Sequence, residues 1–117
     1  YFVRDISLML YVPLGREKGF ISYRAEHSEA YRNQVKRSYI AFALEYIAKR
    51  FLEIGGTCIT HAQVAFLLYF RQEARRNYIQ NLNKTNDFSS LRPYTDEQMK
   101  NFGEMLSDIG IKIKVGE

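Results

Sequence analysis

Between Ser28 and the Gly55-Gly56 pair, apolar residues fall on two opposite sides of what reads as one long helix. At about 100° per residue, Ile40, Ala43, Leu44, Ile47, Phe51 and Ile54 form one stripe with i, i+3, i+4, i+7 spacing. Tyr31, Val35, Tyr39, Phe42 and Tyr46 form a second stripe on roughly the other side. Ser28 offers an oxygen to the unsatisfied N–H groups of the first turn, and Gly55 can close the last one. A helix that is apolar on two sides is either sandwiched between layers of its own domain or keeps one side for a partner. Everything else must be arranged around it.

The flanking segments are easier to read. Ile6 to Val12 is rich in Ile, Leu, Met, Tyr and Val, ends at Pro13, and reads as a strand. The polar loop Gly15-Arg16-Glu17-Lys18-Gly19 follows, then a second apolar run from Phe20 to Arg24, which together predict a hairpin. The loop lacks the spacing and the Lys-Ser/Thr ending of a phosphate-cradling P-loop. Thr60 with Gln63, and Thr95 with Gln98, each make the reciprocal Thr-x-x-Gln cap of a helix start. Helices are thus expected over about 28–54, 60–83 and 95–109, the last with Met99, Phe102, Met105, Leu106 and Ile109 facing inward and Gly110 ending it. Residues 84–94 read as a loop rich in Asn, Asp, Ser and Pro. Ile111-Lys112-Ile113-Lys114-Val115 alternates as a half-buried strand, its lysines in water. The expected architecture is α+β and predominantly helical: three helices on one face of a small antiparallel sheet made of the N-terminal hairpin and the C-terminal strand.

A length of 117 residues suits a single domain with its own core, and 46% apolar with 15% aromatic residues excludes a disordered chain. The longest apolar run, Val64 to Phe70, is far short of the roughly 20 residues of a membrane span. Residues 1–14 lack the pattern of a secretory signal, and the start at Tyr1 reads as a domain taken from a longer chain. One cysteine, Cys58, rules out an internal disulfide and fits a reducing, cytoplasmic or nuclear compartment. The triplet Asn83-Lys84-Thr85 matches a glycosylation acceptor by chance in that setting.

Charge is unevenly spread. Net charge is +4, but residues 29–84 carry nine Lys/Arg against four Asp/Glu, and residues 85–110 carry two against five. The middle of the chain is basic and the last helix acidic. On the second helix, with Val64 as origin, Arg71 and Arg75 fall within about 20° of an apolar line through Val64, Leu68 and Leu82. A guanidinium keeps its charge in any surroundings, so an unpaired one inside a core is prohibitive. Each must snorkel, pair with a carboxylate such as Glu45, Glu53, Asp87 or Asp108, or face an anion outside the domain. Arg76 points elsewhere on the wheel. With Arg32, Lys36, Arg37, Lys49, Arg50 and Lys84 it outlines a basic surface interleaved with tyrosines such as Tyr31 and Tyr78.

Other constellations carry less. Residues 59–65 resemble the opening of a helix-turn-helix, but Tyr69 stands where the turn glycine belongs and Arg75 where a core residue belongs, so a continuous helix fits better. Cys58 and His61 flank a helix start without triad or zinc grammar, and His27 is isolated. No carboxylate spacing points to a metal, and no cofactor is implied. The chain is expected to be a binding protein more than an enzyme. The leading expectation is a nucleic-acid-binding or nucleic-acid-associated module touching phosphates through Arg71, Arg75, Arg76 and Lys84 on one strip and Arg32, Lys36 and Arg37 on another. The competing expectation is a protein-interaction subunit of a larger assembly, docking through Tyr31, Tyr39, Phe42 and Tyr46 on the second face of the central helix. No membrane partner is expected.

Overall fold

The computed structural model describes residues 2–3, 5–13, 29–55, 59–85 and 95–116, with the backbone alone at 2–3, 30–32 and 82–85. In chain order the elements are β1 (Phe2–Val3), β2 (Ile6–Tyr11), α1 (Glu29–Glu53), β3 (Ile59–Thr60), α2 (His61–Thr85), α3 (Asp96–Asp108) and β4 (Ile111–Gly116). The three helices stand close to the spans expected from their caps. Thr95 caps α3 with both reciprocal bonds formed: Gln98 N–H donates to Thr95 Oγ1 at 3.1 Å, and Thr95 N–H donates to Gln98 Oε1 at 2.9 Å. Thr60 and Gln63 repeat the arrangement at the start of α2, at 3.3 and 3.1 Å. Gly55 and Gly110 follow the ends of α1 and α3 with φ of 74° and 91°, a region costly for any residue with a Cβ.

The sheet differs from the expectation. β2 does not anchor an antiparallel hairpin sheet; it pairs with β4 in parallel, Ile6 opposite Ile111 through Tyr11 opposite Gly116. A separate short ladder joins β1 to β3 antiparallel, Val3 opposite Ile59. The second hairpin strand expected over 20–24 lies outside the described residues. The error has a physical origin: side-chain alternation marks a strand and its two faces, but reads the same in either direction. Direction is set by the connection. Parallel neighbours need a long crossover, and here the chain between β2 and β4 includes all three helices. Gly110 turns the chain out of α3, and its carbonyl accepts from Ile6 N–H at 2.9 Å, opening the parallel ladder.

The core lies between this ribbon and the helices. Leu8 and Leu10 of β2, Ile111 of β4, Val35, Tyr39, Ala43, Ile47 and Phe51 of α1, Leu67, Phe70, Ala74 and Tyr78 of α2, and Leu106 of α3 are all at most 2% exposed. Each large apolar side chain gains about 1.5–3 kcal/mol by leaving water. The doubly apolar α1 is the sandwiched helix, packed against both α2 and α3. Its second stripe meets α2: the Tyr39 and Tyr78 rings cross edge-on at 5.3 Å, and Phe42 lies 5.7 Å from Tyr78. The Tyr78 hydroxyl donates to the Val35 carbonyl at 3.3 Å, so the buried ring keeps its polar end satisfied. α2 runs unbroken through Tyr69, leaving no helix-turn-helix turn there. Among the described residues no helix is long and apolar enough to cross a membrane.

Candidate functional site

The buried arc of α2 is not the line on which Arg71 and Arg75 were expected to sit. Leu67, Phe70, Ala74 and Tyr78 face the core, while Leu68, on the expected stripe, is 38% exposed. On the helical wheel the buried arc is rotated by about 75° from Val64. The two arginines are therefore half-buried at its flank. A wheel gives only relative angles, and the packing of α1 and β2 chose which arc went inward.

That flank faces β2. Val12 N–H donates to the Gly116 carbonyl at 2.9 Å, so across a trans peptide the Tyr11 carbonyl points away from β4, toward the other edge of β2. Arg75 fills that need: its guanidinium donates to the Tyr11 carbonyl. Arg71, one turn earlier, makes no ion pair or hydrogen bond among the described residues. Between them and the ribbon lies an open cleft of about 350 Å³ lined by Met9, Tyr11, Tyr39, Arg71, Gln72 and Arg75. Its walls are mainly apolar, and its fixed charge comes from two guanidiniums four residues apart on one helix face.

The ribbon extends the site. Residues in register on neighbouring strands share a face roughly 4.8 Å apart, so Lys114 stands beside Met9 and Lys112 beside Ser7. Both lysines are exposed, with no carboxylate partner among the described residues. Tyr11 is 56% exposed and its ring rests on Gly116, where an added Cβ would come within 3.2 Å of the Cδ1 and Cε1 atoms. A glycine opposite an aromatic residue leaves room for the ring to lie against the backbone. Lys114 and Lys112 thus share the outward face of the ribbon with Met9 and Tyr11, and Met9 and Tyr11 also line the cleft with Arg71 and Arg75.

The other basic residues are placed differently. Arg37 pairs with Asp96, Lys49 with Glu45 at 3.4 Å, and Arg50 with Glu53 at 2.7 Å and Glu73 at 3.9 Å. Arg50 also stands 5.1 Å over the Phe70 ring. Lys36 is half-buried, Arg76 is exposed on the outer side of α2, and the side chains of Arg32, Lys84 and Tyr31 lie outside the described residues. The carboxylates considered for Arg71 and Arg75 are committed elsewhere in two cases, Glu45 and Glu53, and Asp87 is not described. Of the tyrosine stripe, Tyr39 is 1% exposed, and Phe42 and Tyr46 are half-buried with their rings 6.0 Å apart. The Tyr46 hydroxyl accepts from Asn77 Nδ2 at 3.1 Å, and the Glu73 carboxylate lies close by. Burial first, then the Glu73 carboxylate, holds its pKa above the ordinary tyrosine value.

Sequence reasoning missed Met9, Tyr11, Gln72, Lys112 and Lys114. The alternation of Ser7, Met9 and Tyr11 with Leu8 and Leu10 marked an outward face, as did the lysines of β4. Only the parallel register joins those faces. His61 is exposed, Cys58 lies outside the described residues, and among the described residues no three His, Cys, Asp or Glu side chains gather as metal ligands. Comparison with family models, with curated proteins and with solved structures yields no match to this chain.

Proposed function

We propose that this protein is a nucleic-acid-binding module that holds the phosphate backbone along the strip formed by Arg71, Arg75, Lys114 and Lys112. The observation that carries this reading is the shared opening of Arg71 and Arg75 into one cleft beside an exposed tyrosine. Side chains four apart on a helix are neighbours about 5–6 Å apart at Cβ, so one phosphate can meet both guanidiniums. Lysines on the adjoining strands extend the positive track by the spacing of a sheet. Arg37, Lys49 and Arg50 contribute less, since each already faces a carboxylate. The tyrosine stripe of α1 is a poor docking face for a protein partner, because Tyr39 is buried and Phe42 packs on Tyr78.

The test is retention of the purified chain on generic DNA and RNA at low salt, followed by a salt titration. Phosphate contacts predict log K falling against log salt by roughly 0.7 to 0.9 per neutralised phosphate. Arg71→Gln is expected to weaken binding and flatten that slope by close to one phosphate's worth, without lowering the melting temperature. Absence of retention on both polymers would remove the reading.

A further inference from the structure

Resting on that reading, we infer that the cleft takes one nucleotide of a single-stranded nucleic acid, its phosphate between Arg71 and Arg75 and its base on the Tyr11 ring. Duplex recognition places a protruding helix or ribbon into a groove about 12 Å wide. The arginines here do the opposite. Both are half-buried and recessed beside β2, and Arg75 is tied back to the Tyr11 carbonyl. A guanidinium is a planar fork of five N–H donors, so one that is held in place by the protein can still present an edge to a phosphate. The cleft is concave and, at about 350 Å³, on the scale of one small ligand.

The aromatic component points the same way. Tyr11 is seated against Gly116 on one side and lines the cleft, and more than half of its surface is open. Every base has a π-face, so a ring placed beside a cationic track binds unstacked bases with little sequence preference. Bases of a duplex are stacked on one another and cannot offer that face. Gln72, on the rim, adds a donor and an acceptor able to meet a base edge. Lys114 and Lys112 carry the next phosphates along the ribbon.

The experiment is fluorescence anisotropy with the full chain, using labelled 12-nucleotide oligo-dT and oligo-rU, a 12-base-pair duplex and a polyglutamate peptide, at two salt concentrations. The single strands are expected to bind at least tenfold tighter than the duplex. Tyr11→Leu should weaken single-strand binding at least fivefold and narrow the gap between single strand and duplex, in line with the contribution of base–aromatic stacking. Tyr11→Phe, which keeps the ring, should retain the affinity; this second variant guards against loss of fold in the first. Duplex affinity equal to that of the single strands, or single-strand affinity unmoved by Tyr11→Leu, would overturn the inference while leaving nucleic-acid binding in place. Polyglutamate bound as tightly as the oligonucleotides would assign the cleft to acidic proteins instead. Failure of every nucleic-acid probe would remove the broader reading together with this one.

Discussion

Tyr46 sits where α1 and α2 pass one another, its hydroxyl accepting from Asn77 of the facing helix near the Glu73 carboxylate. Burial and the neighbouring carboxylate both disfavour tyrosinate, so the folded state holds the phenolic proton to higher pH than the unfolded chain does. The folded state then binds more protons in the window above the ordinary value of about 10, and stability must fall as pH rises through it. Tyr46→Phe is expected to cost about 1 kcal/mol at neutral pH through the lost hydrogen bond from Asn77. Its stability should decline less steeply than wild type above pH 10. Urea titrations of both proteins from pH 8.5 to 11 check this; parallel curves would show that the tyrosine does not report on the interface. Neither the contact nor the shift was visible in the sequence. Tyr46 was assigned to an apolar stripe, and nothing local told that Glu73 and Asn77 would lie opposite it.

Among the elements, the helix starts were legible because capping is local chemistry. The Thr95 and Thr60 boxes join groups three residues apart, and both form with the bonds the spacing implies. Thr95→Ala is expected to cost about 1 kcal/mol, read as a lower urea midpoint with unchanged slope. Gly110→Ala should cost somewhat more, about 1–2 kcal/mol, since φ there is 91° and a Cβ in that region is strained. Equal stabilities for Gly110→Ala and wild type would show that the turn into β4 differs from the one described. The inward face of α3 was also read correctly in outline: Leu106 is buried, and Phe102, Met105 and Ile109 pack beside the core. A single amphipathic stripe leaves one choice of inward face. α2 has apolar residues nearly all round its first half, and there the wheel named the wrong arc. The cost of that freedom is visible on its surface, where Phe66 and Tyr69 are each 49% exposed.

For the molecule as a whole, the defining relation is between its two distant strands. Ile6–Tyr11 and Ile111–Gly116 run side by side in parallel, so the pairing joins strands separated in the chain by all three helices. Loop-closure entropy must be met before such a pairing is rewarded, and folding slower than in a simple helical bundle of this size follows. The register is testable in a Cys58→Ser background. Ser7→Cys with Lys112→Cys places two thiols on directly paired positions, within the 4.4–6.8 Å Cα range that a disulfide spans. Oxidation should cross-link this pair and leave Ser7→Cys with Lys114→Cys largely reduced. The reverse preference, seen on a non-reducing gel, would contradict the parallel register. The same relation builds the candidate site, because Met9 and Tyr11 meet Lys114 and Gly116 only in this pairing.

The amino-acid sequence settled what acts over a few residues: three helices, the Thr60 and Thr95 caps, the strands around 6–11 and 111–115, and a basic middle segment. Hydrogen bonds from i to i+3 or i+4, and the periods of helix and strand, are properties of adjacent residues and can be read there. Tertiary structure alone decided which way β2 and β4 run, which arc of α2 is buried, and which charges are neutralised. A period of two reads identically in both strand directions, and a helical wheel has no absolute origin. Only packing against residues far away in the chain removes those degeneracies, and the cleft beside Arg71 and Arg75 exists because of how they were removed.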